Sequence, residues 1–242
     1  MKITTILSGG MDSATLLYYA FSKTINRNDL KVLSFNYGQK HKKELDCSIK
    51  LTKNLKVEHK IVDISNIRDL ISASALTSDK EIPEGHYAKE NMKLTVVPNR
   101  NAIMLSIAYG YAITNKSDVL YYGAHAGDHF IYPDCRIEFV KALDTAFYIG
   151  NLGFSTIDLI APFSKKSKVD IVKLGLKLNI PYEDTWSCYK GEDRPCLKCG
   201  TCIERTEAFY INNCNDPLLT IKEWQQAIKN YREFKKEYEQ NK

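Results

Sequence analysis

No apolar run in the 242-residue sequence reaches the ~18 residues that a membrane span requires. The longest, residues 102–113, is broken by Ser106 and Gly110. The apolar start after Met1 ends early at Gly9, Gly10 and Asp12, and no small-residue cleavage site follows. A cytoplasmic chain without a leader or membrane segment is expected. Charge of one sign is scarce too. Lys plus Arg total 34 against 29 Asp plus Glu, and a surplus of +5 suits an anionic small molecule as well as nucleic acid. Repeats, low-complexity tracts and Pro/Gly/Ser linkers are missing, so one main domain is the default. Hydrophobic residues at 44% and charged residues at 26% exclude disordered, collagen-like and coiled-coil classes. A chain this long buries a large core without disulfides.

What is present alternates. Residues 2–7 form an apolar, β-branched run ending in Ser8-Gly9-Gly10, and Ser13 is placed to N-cap a helix whose face is Leu16, Leu17, Ala20 and Phe21. Residues 30–35 predict a second strand. A helix over about residues 40–55 follows, with Leu45, Ile49 and Thr52 as its stripe, then a strand over 56–64 with Val57, Ile61 and Val62. Residues 65–97 lack periodicity, and so long a segment inside a compact domain usually serves function. Beyond Pro98 comes a helix marked by Met104, Ile107, Ala108 and Tyr111, then a strand at 118–123, a helix at 138–149 and a strand at 157–160. Ser167 caps a helix with the stripe Val169, Val172 and Leu176, and a Lys- and Glu-rich helical tail from about Thr220 reads as a solvated or partner-facing surface. Strands alternating with helices predict an α/β fold: an open parallel sheet with helices on both faces.

Four clusters carry chemistry. In Ser8-Gly9-Gly10-Met11-Asp12-Ser13, glycines allow close approach, a helix N-terminus offers N–H groups to an anion, and Asp12 can hold Mg²⁺ between phosphates. A tight turn with a serine cap is the plainer alternative, and no Gly-Lys-Ser/Thr follows to make a Walker loop. Lys165, Lys166 and Lys168 crowd a predicted helix N-terminus, where the dipole disfavours each cation by roughly 0.3–1 kcal/mol. A bound polyphosphate reverses that sign; a solvated charge run is the alternative. Val97 to Asn101 opens a helix, and His125, Asp128, His129, Tyr132, Asp134 and Arg136 follow a strand, where open α/β sheets bind ligands. These side chains suit a carboxylate- or base-reading pocket better than a metal site.

The fourth cluster gathers Cys188, Cys196, Cys199 and Cys202 within 15 of the residues, out of seven cysteines in all. Overlapping Cys-x2-Cys steps suit a closed structural Zn²⁺, and also an iron–sulfur cluster; spacing alone leaves both open. Cys47, Cys135 and Cys214 read as small buried hydrophobes.

The loop SGGMDS between a first strand and a first helix resembles the pyrophosphate loop of N-type ATP pyrophosphatases, which cleave ATP between the α- and β-phosphates and adenylate a carbonyl oxygen. More narrowly, SGGMDS, SFNYGQKHKKEL, SALT, PEGHY, TVVPNRNAI, GAHAGDHFIYPDCR and TWSCYKGEDRPCLKCGTCIER, running from about Ile3 to Phe209, resemble the 7-cyano-7-deazaguanine synthases of queuosine precursor synthesis. The tail after Phe209 is longer than that family usually carries. The resemblance implies an adenine nucleotide alpha hydrolase-like, Rossmann-like domain over 1–180 and a small helical zinc module over 181–242. It implies conversion of 7-carboxy-7-deazaguanine, ATP and ammonia to the nitrile through adenylated carboxylate and amide, with Mg²⁺ beside ATP and a structural Cys₄ zinc.

By that resemblance Leu7, Ser8, Gly9, Gly10, Met11, Asp12, Ser13, Ala14, Thr15 and Phe35 bind ATP. Asp12, Lys168 and Arg100 serve catalysis, and His125, Asp128, His129, Tyr132, Asp134 and Arg136 bind the deazaguanine. A homodimer, no membrane and no direct nucleic acid are expected. Free ammonia is the expected nitrogen source, since the chain has no room for a glutaminase domain. Two other classes compete. A tRNA thiolase needs cluster iron, a catalytic cysteine and a positive RNA surface. A non-enzymatic zinc module on nucleic acid leaves SGGMDS and residues 165–168 unexplained.

Overall fold

Alternating apolar side chains build the central strands. In β2 (Leu30–Asn36), Leu30 and Val32 face one side of the sheet and Leu33 and Phe35 the other. The structure is a computed structural model and describes residues 1–39, 43–71, 73–77, 81–127 and 131–240. With β1 (Ile3–Ile6), β3 (Glu58–Asp63), β4 (Val119–Tyr121) and β5 (Asp158–Ile160), β2 forms a five-stranded sheet in the order β3-β2-β1-β4-β5. Every pairing is parallel, with Ile3 beside both Leu30 and Val119. The order reverses direction at β1, which makes the β1–β4 crevice the switch point where such sheets bind ligands.

Helices cover both faces. On one, α1 (Met11–Lys23), α2 (Lys43–Leu55), α5 (Lys168–Lys177), α6 (Gly200–Ile211) and α7 (Ile221–Gln240) bury Leu16, Leu17, Leu51, Ile171, Val172, Phe209 and Trp224 against Ile3 and Val32. On the other, α3 (Arg100–Thr114) and α4 (Ile137–Gly150) pack Met104, Leu105, Ala108 and Val140 against Leu33, Phe35 and Leu120. Residues of the 181–240 segment thus share a core with β1 and α1. Arg205, buried on α6, donates to Asp216 from Nε (2.6 Å) and Nη2 (2.8 Å) and to Thr185 Oγ1 and the Tyr182 carbonyl, pinning α6 to the chain on either side. No helix among the described residues is long and apolar enough to cross a membrane.

Several sequence expectations shift. α1 begins at Met11 with Gly10 as its N-cap, so Ser13 lies inside the first turn rather than capping it. Ile61 is 44% exposed because β3 is an edge strand with one thinly covered face. In α5 the buried positions are Ile171, Val172 and Gly175, while Leu176 is exposed: the Tyr182 hydroxyl occupies the place where a side chain at 175 would sit. The expected cap of that helix is present, with Ser167 and Asp170 closing a capping box. The solvated tail is half right. α7 buries Trp224, Ala227, Asn230 and Tyr231, a stripe at helical spacing, and leaves its charged face in water.

Candidate active site

A cavity of about 270 Å³ opens beyond the carboxyl ends of β1, β2 and β4. Its floor is the turn between β1 and α1. The Ser8 N–H donates to Ser13 Oγ (3.2 Å), the two hydroxyls lie 2.9 Å apart, and the Gly10 N–H donates to Ser8 Oγ (3.2 Å). Ser8, Gly10, Met11, Asp12 and Ser13 line the cavity, with Leu7 beneath. Gly9 has a different task from the ligand approach expected of it. At φ +94° a Cβ would stand 1.9 Å from the Glu44 carbonyl oxygen, so a glycine is required for α2 to lie against the loop. Ala14 is buried in the core, and Thr15 Oγ1 meets the Tyr182 hydroxyl at 2.8 Å; neither lines the cavity.

Asp12, on the first turn of α1, meets charge from two other elements. Its Oδ2 is 3.2 Å from Lys168 Nζ and 3.6 Å from His125 Nε2, while Oδ1 is buried with no hydrogen-bond partner. Burial alone raises a carboxyl pKa, but Lys168 and His125 outweigh it and hold Asp12 well below the usual range. Lys168 Nζ also contacts Glu204 Oε2 at 2.5 Å, so one cation stands between two carboxylates at the N-terminus of α5. That pairing offsets the dipole penalty. Lys165 and Lys166 are exposed and do not line the cavity; the lysine cluster reduces to Lys168. His125 is buried, accepts the Gly127 N–H on Nδ1 (3.1 Å) and acts on Asp12 from behind.

The opposite wall comes from the other polar segments. Arg100 opens α3 and lines the cavity, its guanidinium 5.4 Å from the Tyr37 ring centre and donating to that hydroxyl (3.3 Å). Phe35 lines it from the end of β2. Tyr132 does so too, its hydroxyl 2.6 Å from Thr95 Oγ1 and 3.3 Å from the Tyr189 hydroxyl. Asp134 is half-buried just outside the lining, and burial raises its carboxyl despite nearby Arg100. Arg136 is exposed as the N-cap residue of α4, away from the cavity. Asp128 and His129 lie outside the described residues.

Glu44, Tyr37, Tyr87, Met92, Tyr189, Trp186 and Glu204 also line the cavity; all but Met92 lie in stretches that carry the resemblance, yet none was given a role by the sequence. The Glu44 carboxyl is pushed up to about 7 by burial, with Arg100 pulling part of the way back. A folded-state value above the unfolded one gives stability that is full below the unfolded pKa and lost as pH rises through the folded one. Glu44 is therefore expected to contribute less stability as pH rises from about 4.5 to about 7, and Glu44→Gln, which lacks that titration, to lose less melting temperature across the window than the wild type. Superimposable pH profiles for the two proteins would contradict this assignment.

Cys188, Cys196 and Cys199 in the knuckle before α6 converge with Cys202 on its first turn, all four sulfurs within 4.8 Å of one another. The Cys196 N–H donates to Cys188 Sγ and the Cys199 N–H to Cys196 Sγ, each at 3.3 Å, contacts that favour thiolates over thiols. Three of the four are buried, so the donor set is closed and fits a metal ion held for structure. Cys199 is the N-cap residue of α6, the helix that carries Glu204.

A family described as Queuosine biosynthesis protein QueC matches residues 2–213. The chain belongs to that family. Among relatives, the 7-cyano-7-deazaguanine synthase of Archaeoglobus fulgidus is 53% identical over 97% of this chain and 97% of its own length. The enzyme of that name from Pseudoalteromonas atlantica is 51% identical over 90% of this chain and 97% of its own. The archaeal match runs through nearly the whole tail, so the segment after Phe209 is not peculiar to this member of the QueC family. NMN synthetase from Francisella tularensis shares the fold, with a TM-score of 0.50 and 14% identity over 96% of this chain and 84% of that one.

Proposed function

We propose that this chain is an ATP-dependent carbon–nitrogen ligase that converts 7-carboxy-7-deazaguanine and ammonia to 7-cyano-7-deazaguanine, releasing AMP and pyrophosphate. The observation that carries the reading is Asp12: a buried carboxylate with one oxygen on Lys168 and the other without a partner, at the phosphate-type loop of a QueC-family chain. Asp12 Oδ1 would hold a Mg²⁺, which when bound supplies charge that screens the phosphates.

The carboxylate oxygen attacks the α-phosphorus of ATP, the bond to the β-phosphate oxygen breaks, and pyrophosphate leaves. The ammonia lone pair then attacks the acyl carbon, the bond to the AMP oxygen breaks, and loss of a proton gives the amide. A second ATP is attacked by the amide oxygen. Loss of both N–H protons and of the second AMP leaves the nitrile. Ser8, Gly10, Ser13 and the N-terminus of α1 cradle the departing phosphates, and Lys168 neutralises charge developing on them. Arg100 is placed for the carboxylate, Phe35 for adenine and Tyr132 for the base, while Asp134, outside the lining, acts on Arg100 through its charge. His125 orients Asp12.

The four cysteines would hold a single Zn²⁺. Tetrahedral Zn–S bonds of about 2.3 Å put sulfurs slightly under 4 Å apart, and Cys196 and Cys202 Sγ stand at 4.0 Å. An iron–sulfur cluster interposes several irons and sulfides and needs wider spacing, which disfavours the thiolase reading. Exposed Tyr148, Ile149, Leu152 and Phe154 around the end of α4 support a homodimer.

Substrate carrying ¹⁸O in both carboxylate oxygens tests the chemistry. Each of the two AMP molecules formed per nitrile is expected to carry one label. Label in pyrophosphate or water would refute adenylation of the substrate. Lys168→Ala is expected to lower kcat/KM for ATP by roughly 10²-fold or more while changing binding of the deazaguanine little. Equal losses for both substrates would make Lys168 a structural residue.

A further inference from the structure

The family match ends at residue 213, yet α7 continues to Gln240, and its far end lies against the loop that precedes α3. Tyr238 stacks on His86 with ring centres 4.2 Å apart and planes 5° from parallel. His86, itself buried, stacks in turn on Tyr87 at 4.3 Å and 24°. Lys89 Nζ pairs with Glu237 at 2.7 Å. The Tyr87 hydroxyl donates to Glu207 Oε2 (2.7 Å), and the Tyr231 hydroxyl donates to the other oxygen of the same carboxylate (2.9 Å). One end of this chain of contacts is the tail; the other is the cavity, which Tyr87 and Met92 line.

The loop consists of turns and a short 3₁₀ segment. One side of it is tied to the knuckle by the Gly85 N–H on the Lys198 carbonyl (3.0 Å), the Glu84–Cys199 β-bridge, the Lys190–Glu84 ion pair and the Met92 sulfur against Gly200, and α7 holds the other side at His86 and Lys89. Its cavity-facing residues line the cavity together with Tyr132 and Tyr189, the Tyr132 hydroxyl meeting both Thr95 Oγ1 and the Tyr189 hydroxyl. Three aromatic rings and a thioether suit a flat heteroaromatic ring rather than phosphate or ribose. The phosphate loop and Phe35 come from the β1–α1 turn and β2, which leaves this aromatic part of the lining for the second substrate.

We propose that the last turns of α7 are a brace that positions Tyr87, through His86 and Glu207, as a contact for the planar base of the substrate. The identity of that base rests on the function proposed above; the brace does not. Tyr238, His86 and Glu207 are positioning residues, and Tyr87 touches substrate.

The test compares wild-type, Tyr238→Ala and Tyr238→Phe proteins, each metal-loaded and full-length, by steady-state kinetics and by amide hydrogen exchange without ligand. In Tyr238→Ala the KM for 7-carboxy-7-deazaguanine is expected to rise roughly ten-fold, the value of a lost ring contact, with kcat and the KM for ATP little changed. Exchange over residues 84–92 is expected to quicken, and the phenylalanine variant to restore both readouts. An unchanged KM, or a parallel rise in both KM values, would overturn the role in recognising the base. Unchanged exchange over 84–92 would overturn the brace. If wild-type protein does not consume 7-carboxy-7-deazaguanine at all, the functional reading fails and the assigned base with it. The brace then stands or falls on exchange alone.

Discussion

Asp12→Asn is expected to lower turnover by roughly 10²–10³-fold or more while leaving the fold in place. The substitution keeps the shape of the side chain and removes its charge. Asp12 Oδ1 is the buried oxygen without a partner, and Oδ2 faces Lys168 at 3.2 Å and His125 at 3.6 Å. Neutralising it removes the proposed cation ligand at the point where phosphate charge collects. Lys168 keeps its 2.5 Å contact with Glu204, so α5 and α6 remain tied, but a carboxylate held below its usual range also stabilises the fold, and the melting temperature is expected to fall by a few degrees without loss of the folded state. Steady-state rates over a range of Mg²⁺ concentrations, with thermal melts of the same samples, check both halves. Near-normal turnover would remove Asp12 from the phosphate chemistry; a large loss of stability would make it a folding residue.

The second large effect concerns the cysteine knuckle. Binding of a structural metal is folding free energy, so Cys199→Ser is expected to abolish bound metal and lower the melting temperature by roughly 10 °C or more, the equivalent of about 4 kcal/mol in a chain of this size. The consequence reaches the cavity. Cys199 is the N-cap residue of α6, and that helix presents Glu204 to Lys168 and Arg205 to Asp216. A knuckle that opens loosens both pairs, and turnover is expected to fall along with stability. Metal analysis and thermal melts measure the effect directly. Unchanged metal content with an unchanged melting temperature would take the cysteines out of the account.

What the sequence made legible was local. Ser8-Gly9-Gly10 after an apolar run, and four cysteines within one short window, reveal their chemistry because their partners are neighbours in the chain. Alternating strands and helices made the parallel sheet legible, while the strand order β3-β2-β1-β4-β5 was not read from the sequence. Glu44, Glu204 and Tyr87 lay inside stretches that resemble the family, but each enters the cavity from a different element, so no role could be read for them from their neighbours in sequence. The α5 stripe misled for a similar reason: Gly175 is buried only because Tyr182, from the next turn of chain, fills the space above it. Gly9 misled in function, since its missing side chain makes room for the α2 backbone instead of a ligand. In α7, Trp224, Ala227 and Tyr231 mark a buried face that packs on α6, and the surrounding Lys and Glu residues obscured it.

The central claim is tested most directly by mass spectrometry of a reaction containing purified metal-loaded protein, 7-carboxy-7-deazaguanine, ammonium, ATP and Mg²⁺, with nitrile, amide, AMP and ADP followed together. The account predicts nitrile with AMP, with the amide as a transient. Nitrile with ADP would contradict the adenylation chemistry, and the absence of both nitrile and amide from a folded protein would contradict the proposed function itself.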